Sequence, residues 1–265
     1  NLDEVVPMPV RLSFTDRGEP TREAIIFLHG FPLDHTMWHH QLDALCGRYR
    51  CLAPDLRGFG ASAPPSEGER WTIDDLADDV AALLDELGVA QATFCGLSMG
   101  GYVAFALWRN HRQRIRRLIL ADTKASADTP QAKANRQRQA ELVRAQGVAP
   151  LADEMVPKLL SPHNHAALSE VLRQTILRAR PETVLAALPA LAERPDMSEQ
   201  LGEITVPTLI IVGEDDAISP ISDAQLMYDR MPNAQLVIIP KAGHMSPLEE
   251  PEAFNRAVLE FMRDF

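Results

Sequence analysis

The spacing of hydrophobic residues changes several times along the chain, and these changes predict strands that alternate with helices. Short runs that are apolar on both faces are typical of interior strands covered by helices on each side, and Ala24-Ile25-Ile26-Phe27-Leu28 is the clearest run. Apolar residues at three-to-four spacing predict an amphipathic helix over 72–87, capped by Thr72 and stopped at Gly88. Further strands are predicted at 9–14, 49–53, 92–95, 117–121, 208–212 and 236–239, and further helices at 37–46, 221–230 and 251–265.

The pattern is interrupted between about residues 124 and 205, where no strand signal occurs. This stretch is rich in Ala, Leu, Gln and Arg with helical periodicity, and its prolines divide it into three or four predicted helices. Strands alternating with helices indicate a parallel sheet covered on both faces. The sequence therefore predicts an α/β fold with a mostly parallel central sheet. Its core domain comprises 1–123 and 206–265, and the helical insertion comprises 124–205.

The amino-acid composition indicates which binding partners and which cellular compartment to expect. The 265 residues carry a net charge of −11, and no Lys/Arg cluster opposes it, so neither nucleic acid nor an anionic membrane is an expected partner. Three cysteines without C-x-x-C spacing, Cys46, Cys51 and Cys95, are expected to be reduced thiols. No run approaches the roughly 20 apolar residues of a membrane span, and the N-terminal residues lack a signal-type apolar core. We expect a cytoplasmic protein, whose oligomeric state the sequence leaves open.

The stretch Gly96-Leu97-Ser98-Met99-Gly100 lies between a predicted strand and a predicted helix that includes 102–106. A serine at such a tight turn has a cramped backbone, and side chains two residues before and after it would collide where strand and helix converge. Gly96 and Gly100 meet this requirement. The pattern predicts a nucleophile elbow with Ser98 as the nucleophile.

A serine hydroxyl needs a base to take its proton and a carboxylate to orient that base. In α/β sheets the functional loops follow the carboxyl ends of strands, and His244 follows the last predicted strand. His29 also follows a strand, but it precedes the elbow and adjoins Gly30. We interpret His29 as shaping a turn and keep a role as base as an alternative.

Three aspartates are candidates for the carboxylate. Asp215 and Asp216 follow the strand at 208–212, and Asp122 follows the strand before the insertion. Adjacent side chains point in different directions, so only one of the first two can reach the histidine. The chain order Ser, Asp, His is the order found on this type of sheet.

Several motifs in the same order resemble the α/β-hydrolase superfamily, in particular its branch of small serine carboxylesterases and 3-oxoadipate enol-lactonases. These motifs are His29-Gly30-Phe31-Pro32, Asp55-Leu56-Arg57-Gly58-Phe59-Gly60, Gly96-Leu97-Ser98-Met99-Gly100, Gly213-x-x-Asp216 with Pro220, and Gly243-His244 followed by Glu249-x-Pro251. The resemblance implies the α/β-hydrolase fold, with the insertion as a helical cap. It also implies that Asp216 is the acid in preference to Asp215 or Asp122.

The same resemblance implies that the backbone N–H groups of Phe31 and Met99 form an oxyanion hole. We expect His29, Gly30, Phe31, Met99 and Met245 to line the substrate pocket. No cofactor and no metal are expected. The G-x-G at Gly58 precedes a proline-rich loop and not a helix, which argues against a dinucleotide, and the pair His163 and His165 lacks further ligands at suitable spacing.

These features predict a serine carboxylesterase that acts on a small-molecule ester or lactone of short-to-medium acyl length through an acyl-enzyme. Alternatives within enzymes are an enol-lactone hydrolase, a carbon–carbon bond hydrolase and a cofactor-free perhydrolase. The alternative from another class is a non-catalytic small-molecule sensor on the same fold. Sustained turnover of a p-nitrophenyl ester would distinguish an enzyme from a sensor.

Overall fold

The described residues of the computed structural model, 8–66 and 68–264, form one sheet surrounded by helices. Seven strands make up the sheet in this part of the chain: β1 Phe14–Arg17, β2 Ala24–Leu28, β3 Arg50–Pro54, β4 Ala92–Leu97, β5 Ile115–Ala121, β6 Thr208–Gly213 and β7 Ala234–Ile239. Their order across the sheet is β1-β3-β2-β4-β5-β6-β7. β1 pairs with β3 in the antiparallel direction, and the other pairs are parallel. The prediction of a mostly parallel α/β sheet is confirmed.

The first strand differs from its prediction. A strand was expected at 9–14, whereas β1 covers Phe14–Arg17 and residues 9–13 are not in a strand. In that segment the Val10 N–H donates to the Asp79 carboxylate at 2.7 Å, and the Ser13 N–H donates to the Ser62 hydroxyl at 2.9 Å. Side chains from helix α2 and from the loop at Ser62 thus satisfy the backbone groups that a neighbouring strand would otherwise bind. Two other strands, β5 and β7, begin two residues earlier than predicted.

The helices follow the strands as the alternating pattern predicts. Their bounds are α1 His39–Leu45, α2 Ile73–Glu86, α3 Met99–His111, α4 Pro130–Gln146, α5 Ala149–Leu159, α6 His165–Leu177, α7 Pro181–Glu193, α8 Ile221–Arg230, α9 Ser246–Glu249 and α10 Pro251–Arg263. Short 3-10 helices occur at His35–Trp38, Arg112–Arg114 and Ser198–Glu203. At the start of α2, Thr72 and Asp75 form a capping box, which explains why the helix begins there.

Alternate residues of the strands pack on opposite faces of the sheet. Ile26 and Leu28 of β2 belong to a core cluster that includes side chains of α2, α3 and α8. Ile25 and Phe27 belong to a second cluster with side chains of α1 and α10. Helices therefore bury both faces, which is why β2 is apolar at every position.

Four α-helices, α4 to α7, lie in the chain between β5 and β6, and they contact loops at one end of the sheet. The Thr183 hydroxyl of α7 donates to the Gly58 carbonyl at 2.8 Å, and the Arg180 guanidinium donates to the same carbonyl at 2.8 Å. Arg178 forms an ion pair with Asp34 at 2.9 Å. These contacts hold the helical insertion against the loops that follow β2 and β3.

The cysteines are free thiols, and Cys51 and Cys95 are buried in β3 and β4. Burial raises the pKa of Cys51 to about 12 and raises the pKa of Cys95 well above its usual range, so both stay protonated near neutral pH. Within the described residues, no helix has the length and hydropathy that crossing a membrane requires.

Candidate active site

Ser98 lies at the sharp turn between β4 and α3. Its backbone has φ 53° and ψ −111°, a left-handed conformation that non-glycine residues rarely adopt. The turn is held by the Ser98 N–H, which donates to the Ala121 carbonyl at 3.0 Å, and by the Thr123 hydroxyl, which donates to the Ser98 carbonyl at 2.8 Å. The strained residue is thus fixed from the end of the neighbouring strand β5.

The glycines on either side of Ser98 have no room for a side chain. A Cβ at Gly96 would overlap the backbone of Gly100, and a Cβ at Gly100 would overlap the carbonyl of Leu28. The spacing of glycines in the motif therefore reflects close contacts between β4, α3 and the end of β2.

Three residues that are far apart in the sequence form a continuous chain of hydrogen bonds. The Ser98 hydroxyl lies 2.8 Å from His244 Nε2, and His244 Nδ1 lies 2.9 Å and 3.0 Å from the two carboxylate oxygens of Asp216. His244 and Asp216 are 2% and 5% exposed, so water is largely excluded from their hydrogen bond.

The partners of the imidazole define its tautomer. Asp216 accepts hydrogen bonds from the Ile218 and Ser219 N–H groups at 2.8 and 2.9 Å. A carboxylate can only accept, so the His244 Nδ1–H donates to it and Nε2 is left as an acceptor for the Ser98 hydroxyl. The histidine therefore presents a lone pair to the serine proton.

The two other aspartates considered from the sequence form no hydrogen bond with the His244 ring. Asp215 is exposed, and its carboxylate lies 3.9 Å from His163. Asp122 is fully buried at the end of β5, where it accepts from the Gly213 N–H at 2.8 Å and from the Ser246 hydroxyl at 2.5 Å. Burial, and then the charge of Asp216, raise the pKa of Asp122 well above its ordinary value.

Two backbone donors lie near Ser98. Met99 is the first residue of α3, so its N–H has no acceptor within the helix. Among the described residues, no protein acceptor binds the Phe31 N–H. The loop that carries Phe31 is close to the serine, since a Cβ at Gly30 would lie 2.9 Å from the Leu97 side chain and 3.6 Å from the Ser98 Cβ.

His29 is placed as a link between two loops. The Leu56 N–H donates to its Nε2 at 3.0 Å, which leaves Nδ1 as the donor to the Gly30 carbonyl at 2.9 Å. Burial lowers the pKa of His29, which favours this neutral form. Both ring nitrogens are occupied, so the alternative of His29 as the base has no geometric support. Lining of a pocket by His29, Gly30, Phe31, Met99 and Met245 stays a prediction; Met99 and Met245 are buried.

In the described part of the chain, one group of side chains has the spacing of metal ligands, namely Asp34, His35 and Asp55. Each of these side chains already has a partner: His35 Nδ1 lies 2.7 Å from Asp55, and the Arg178 guanidinium lies 2.9 Å from Asp34. A guanidinium therefore already supplies positive charge at this group. His163 and His165, the pair considered from the sequence, are both exposed.

Two residues at the site received no role from the sequence. Glu249 accepts hydrogen bonds from backbone N–H groups on both sides of His244, and Ser246 binds Asp122. The spacing from Gly243-His244 to Glu249-x-Pro251 was the available signal for Glu249. Ser246 had none, because its partner is 124 residues away in the sequence.

Comparisons with known proteins show the family of this chain. A family model for the alpha/beta hydrolase fold matches residues 23–251. The 3-oxoadipate enol-lactonase 2 of Acinetobacter baylyi is 34% identical over 99% of this chain and 97% of its own length.

Two solved structures are similar to this chain over nearly its whole length. A thermophilic esterase from Thermogutta terrifontis, with malate bound, is 45% identical with a TM-score of 0.91, covering 96% of this chain and 93% of that one. The enol-lactonase from Burkholderia xenovorans LB400 is 29% identical with a TM-score of 0.86, covering 95% and 96%.

Proposed function

We propose that this chain, which belongs to the α/β-hydrolase family, is a serine hydrolase that cleaves carboxylic esters through an acyl-enzyme. The observation that carries the proposal is the unbroken series of hydrogen bonds from Ser98 through His244 to Asp216. Its relatives in the branch of small esterases and enol-lactonases support the same class of substrate.

In the first step, the Ser98 oxygen attacks the ester carbonyl carbon while His244 Nε2 takes the hydroxyl proton. Asp216 stabilises the imidazolium that forms and keeps the ring in the required tautomer. The carbonyl oxygen becomes negatively charged, and the N–H groups of Phe31 and Met99 donate to it. Each such donor contributes roughly 2.7–4 kcal/mol to the transition state.

The imidazolium then gives its proton to the departing alcohol, and the acyl group remains on Ser98. Water enters, and its oxygen attacks the acyl carbon while His244 Nε2 takes one of its protons. The bond between the acyl carbon and Ser98 then breaks, His244 returns the proton to the Ser98 oxygen, and the carboxylic acid leaves. These steps require no cofactor.

We further propose that the insertion at 124–205 acts as a cap that shapes the pocket, while 1–123 and 206–265 form the catalytic core. Contacts from Arg178, Arg180 and Thr183 to loops of the core support this division. The acyl and alcohol groups would then be selected by side chains of the cap.

Steady-state hydrolysis of p-nitrophenyl esters of increasing acyl length tests the proposal. Ser98→Ala removes the nucleophile, and we expect it to lower kcat by about 10⁶-fold. Ser222→Ala, an exposed serine on α8, is the matched control and should retain wild-type turnover. Ester hydrolysis that survives Ser98→Ala would contradict the proposed nucleophile.

The second candidate is hydrolysis of an enol-lactone by the same residues, and it is favoured by the names of the relatives from Acinetobacter and Burkholderia. An enol-lactone assay beside the ester series separates the two, because a lactonase would open the ring and leave the linear esters largely intact. A single stoichiometric release of p-nitrophenol, without turnover, would instead indicate a sensor.

A further inference from the structure

Glu249, the last residue of the short helix α9, has a buried side chain. It is 6% exposed, and no Lys or Arg side chain of the described residues forms an ion pair with it. One of its oxygens accepts from the Gly243 N–H at 2.9 Å and from the Met245 N–H at 3.1 Å. These are the two residues that flank His244.

The other oxygen of Glu249 binds the helical insertion. It accepts from the Ser161 N–H at 2.8 Å and lies 3.4 Å from Asn164 Nδ2. Around this contact, the Ser161 hydroxyl and the Asn164 amide both donate to the Lys241 carbonyl, at 2.7 and 2.8 Å. One carboxylate therefore joins the insertion to the loop that carries His244.

The loop around His244 is bound at three consecutive amides. The His244 N–H donates to the Leu159 carbonyl at 2.9 Å, and the N–H groups before and after it donate to Glu249. A Cβ at Gly243 would lie 2.7 Å from the Ser161 nitrogen, so the insertion packs directly on this loop. The backbone of residues 243–245 thus depends on Glu249 and on residues 159–161 together.

We propose that Glu249 is a positioning residue that holds His244 in line with Ser98 and couples this position to the docking of residues 159–164 of the insertion. The inference rests on the proposed function. The backbone at 243–245 sets the direction of the His244 side chain, whose Nε2 must stay 2.8 Å from the Ser98 oxygen to take its proton. Small displacements of a base reduce the rate strongly, by about 10²-fold for 1 Å.

The test compares Glu249→Gln with Glu252→Gln, which makes the same change at an exposed glutamate on α10. The Gln amide must turn its NH₂ group toward the donors on one side, so it cannot accept from both the loop and the insertion. With a p-nitrophenyl ester we expect Glu249→Gln to lower kcat by roughly 10- to 100-fold while KM changes by less than about threefold. Glu252→Gln should match the wild type.

Hydrogen exchange of the full chain measures the coupling without catalysis. We expect Glu249→Gln to speed amide exchange at both 159–164 and 243–246. Asn164→Ala, which removes contacts on the insertion side, should speed exchange at 159–164 with a smaller loss of kcat.

Each outcome bears on the inference. If the wild type hydrolyses esters and Glu249→Gln keeps its kcat, or if Glu249→Gln speeds exchange at only one of the two segments, the inference is wrong. If Glu249→Gln does not fold, Glu249→Asp replaces it in the test, because this variant keeps the charge but shortens the side chain. Glu249→Asp should lower kcat at near-native thermal stability. A wild-type kcat in Glu249→Asp would overturn the inference. A wild type without ester or lactone turnover contradicts the proposed function, while the exchange data still decide on the coupling.

Discussion

Two neighbouring strands of the sheet, β5 and β6, each lead into a buried aspartate, yet the two aspartates have different surroundings. Asp122 follows β5 directly and binds the Gly213 N–H and the Ser246 hydroxyl. Asp216 comes three residues after β6 ends at Gly213, and it binds His244 and two N–H groups of its own turn. Burial at the end of a strand therefore does not by itself indicate which aspartate binds the histidine.

The difference lies in the length of the turn after each strand. Asp122 has φ 45°, and its carboxylate accepts from the end of the adjacent strand β6. The extra residues after β6 carry Asp216 out to the loop of His244, where the Asp215 N–H donates to the Ala242 carbonyl at 2.8 Å. Asp122 joins two strand ends, whereas Asp216 binds and orients the His244 ring.

Among changes at these two aspartates and their partners, the largest expected effect is that of Asp216→Asn. The amide can donate to His244 Nδ1 and thereby favour the tautomer whose Nε2 carries a proton, so we expect kcat to fall by about 10⁴-fold. Asp215→Asn, the same change at the neighbouring exposed residue, should leave kcat within about twofold of wild type. If adding Asp122→Asn to Asp216→Asn caused a further large loss of kcat, Asp122 would be a reserve acid and the contrast between the two aspartates would fail.

Asp122→Asn should instead change the free energy of unfolding. Its amide matches the protonated carboxyl in shape, so we expect kcat within about threefold of wild type. The raised pKa of Asp122 means that the folded protein binds this proton more tightly than the unfolded chain does. Its stabilising contribution is complete below the ordinary carboxyl pKa and is lost as the pH rises toward the raised value.

Urea unfolding at about pH 4, 6 and 8 checks this sign. The free energy of unfolding of Asp122→Asn, relative to wild type, should increase with pH across this window by at most about 1.4 kcal/mol per pH unit. A difference that is constant or decreases with pH would mean that Asp122 is charged in the folded protein.

The smallest expected effect is that of Ser246→Ala, which leaves one oxygen of Asp122 without its hydroxyl partner. We expect a loss of about 1–3 kcal/mol in the free energy of unfolding and a kcat within about twofold of wild type. Chemical denaturation and steady-state kinetics on the same preparation measure both quantities. A loss of kcat comparable to that of Asp216→Asn would assign Asp122 and Ser246 to the reaction itself.

Local patterns in the sequence were sufficient to predict most strands of the sheet and the turn at Ser98. Interior strands such as β2 are apolar at every position because helices cover both faces, and glycines flank Ser98 because Leu28 and Gly100 leave no space. The strand predicted at 9–14 was wrong, because residues 9–13 bind the side chains of Asp79 and Ser62. Those partners are distant in the sequence, and local hydrophobicity does not reveal them.

The same limit applies around His244. The sequence offered three aspartates, and the choice of Asp216 came from a family resemblance, since spacing alone does not fix the length of a turn. Glu249 and Ser161 are 88 residues apart, and the insertion has no motif that indicates its partner.

The hydrogen bond between Ser98 and His244 joins residues 146 positions apart. During synthesis at about 5–20 residues per second, roughly 7–30 s separate the emergence of these two residues from the ribosome. During this interval, the Ser98 hydroxyl lacks the imidazole that binds it in the folded structure. The proposed activity therefore requires β7 and the loop after it to join strands that have all been translated earlier.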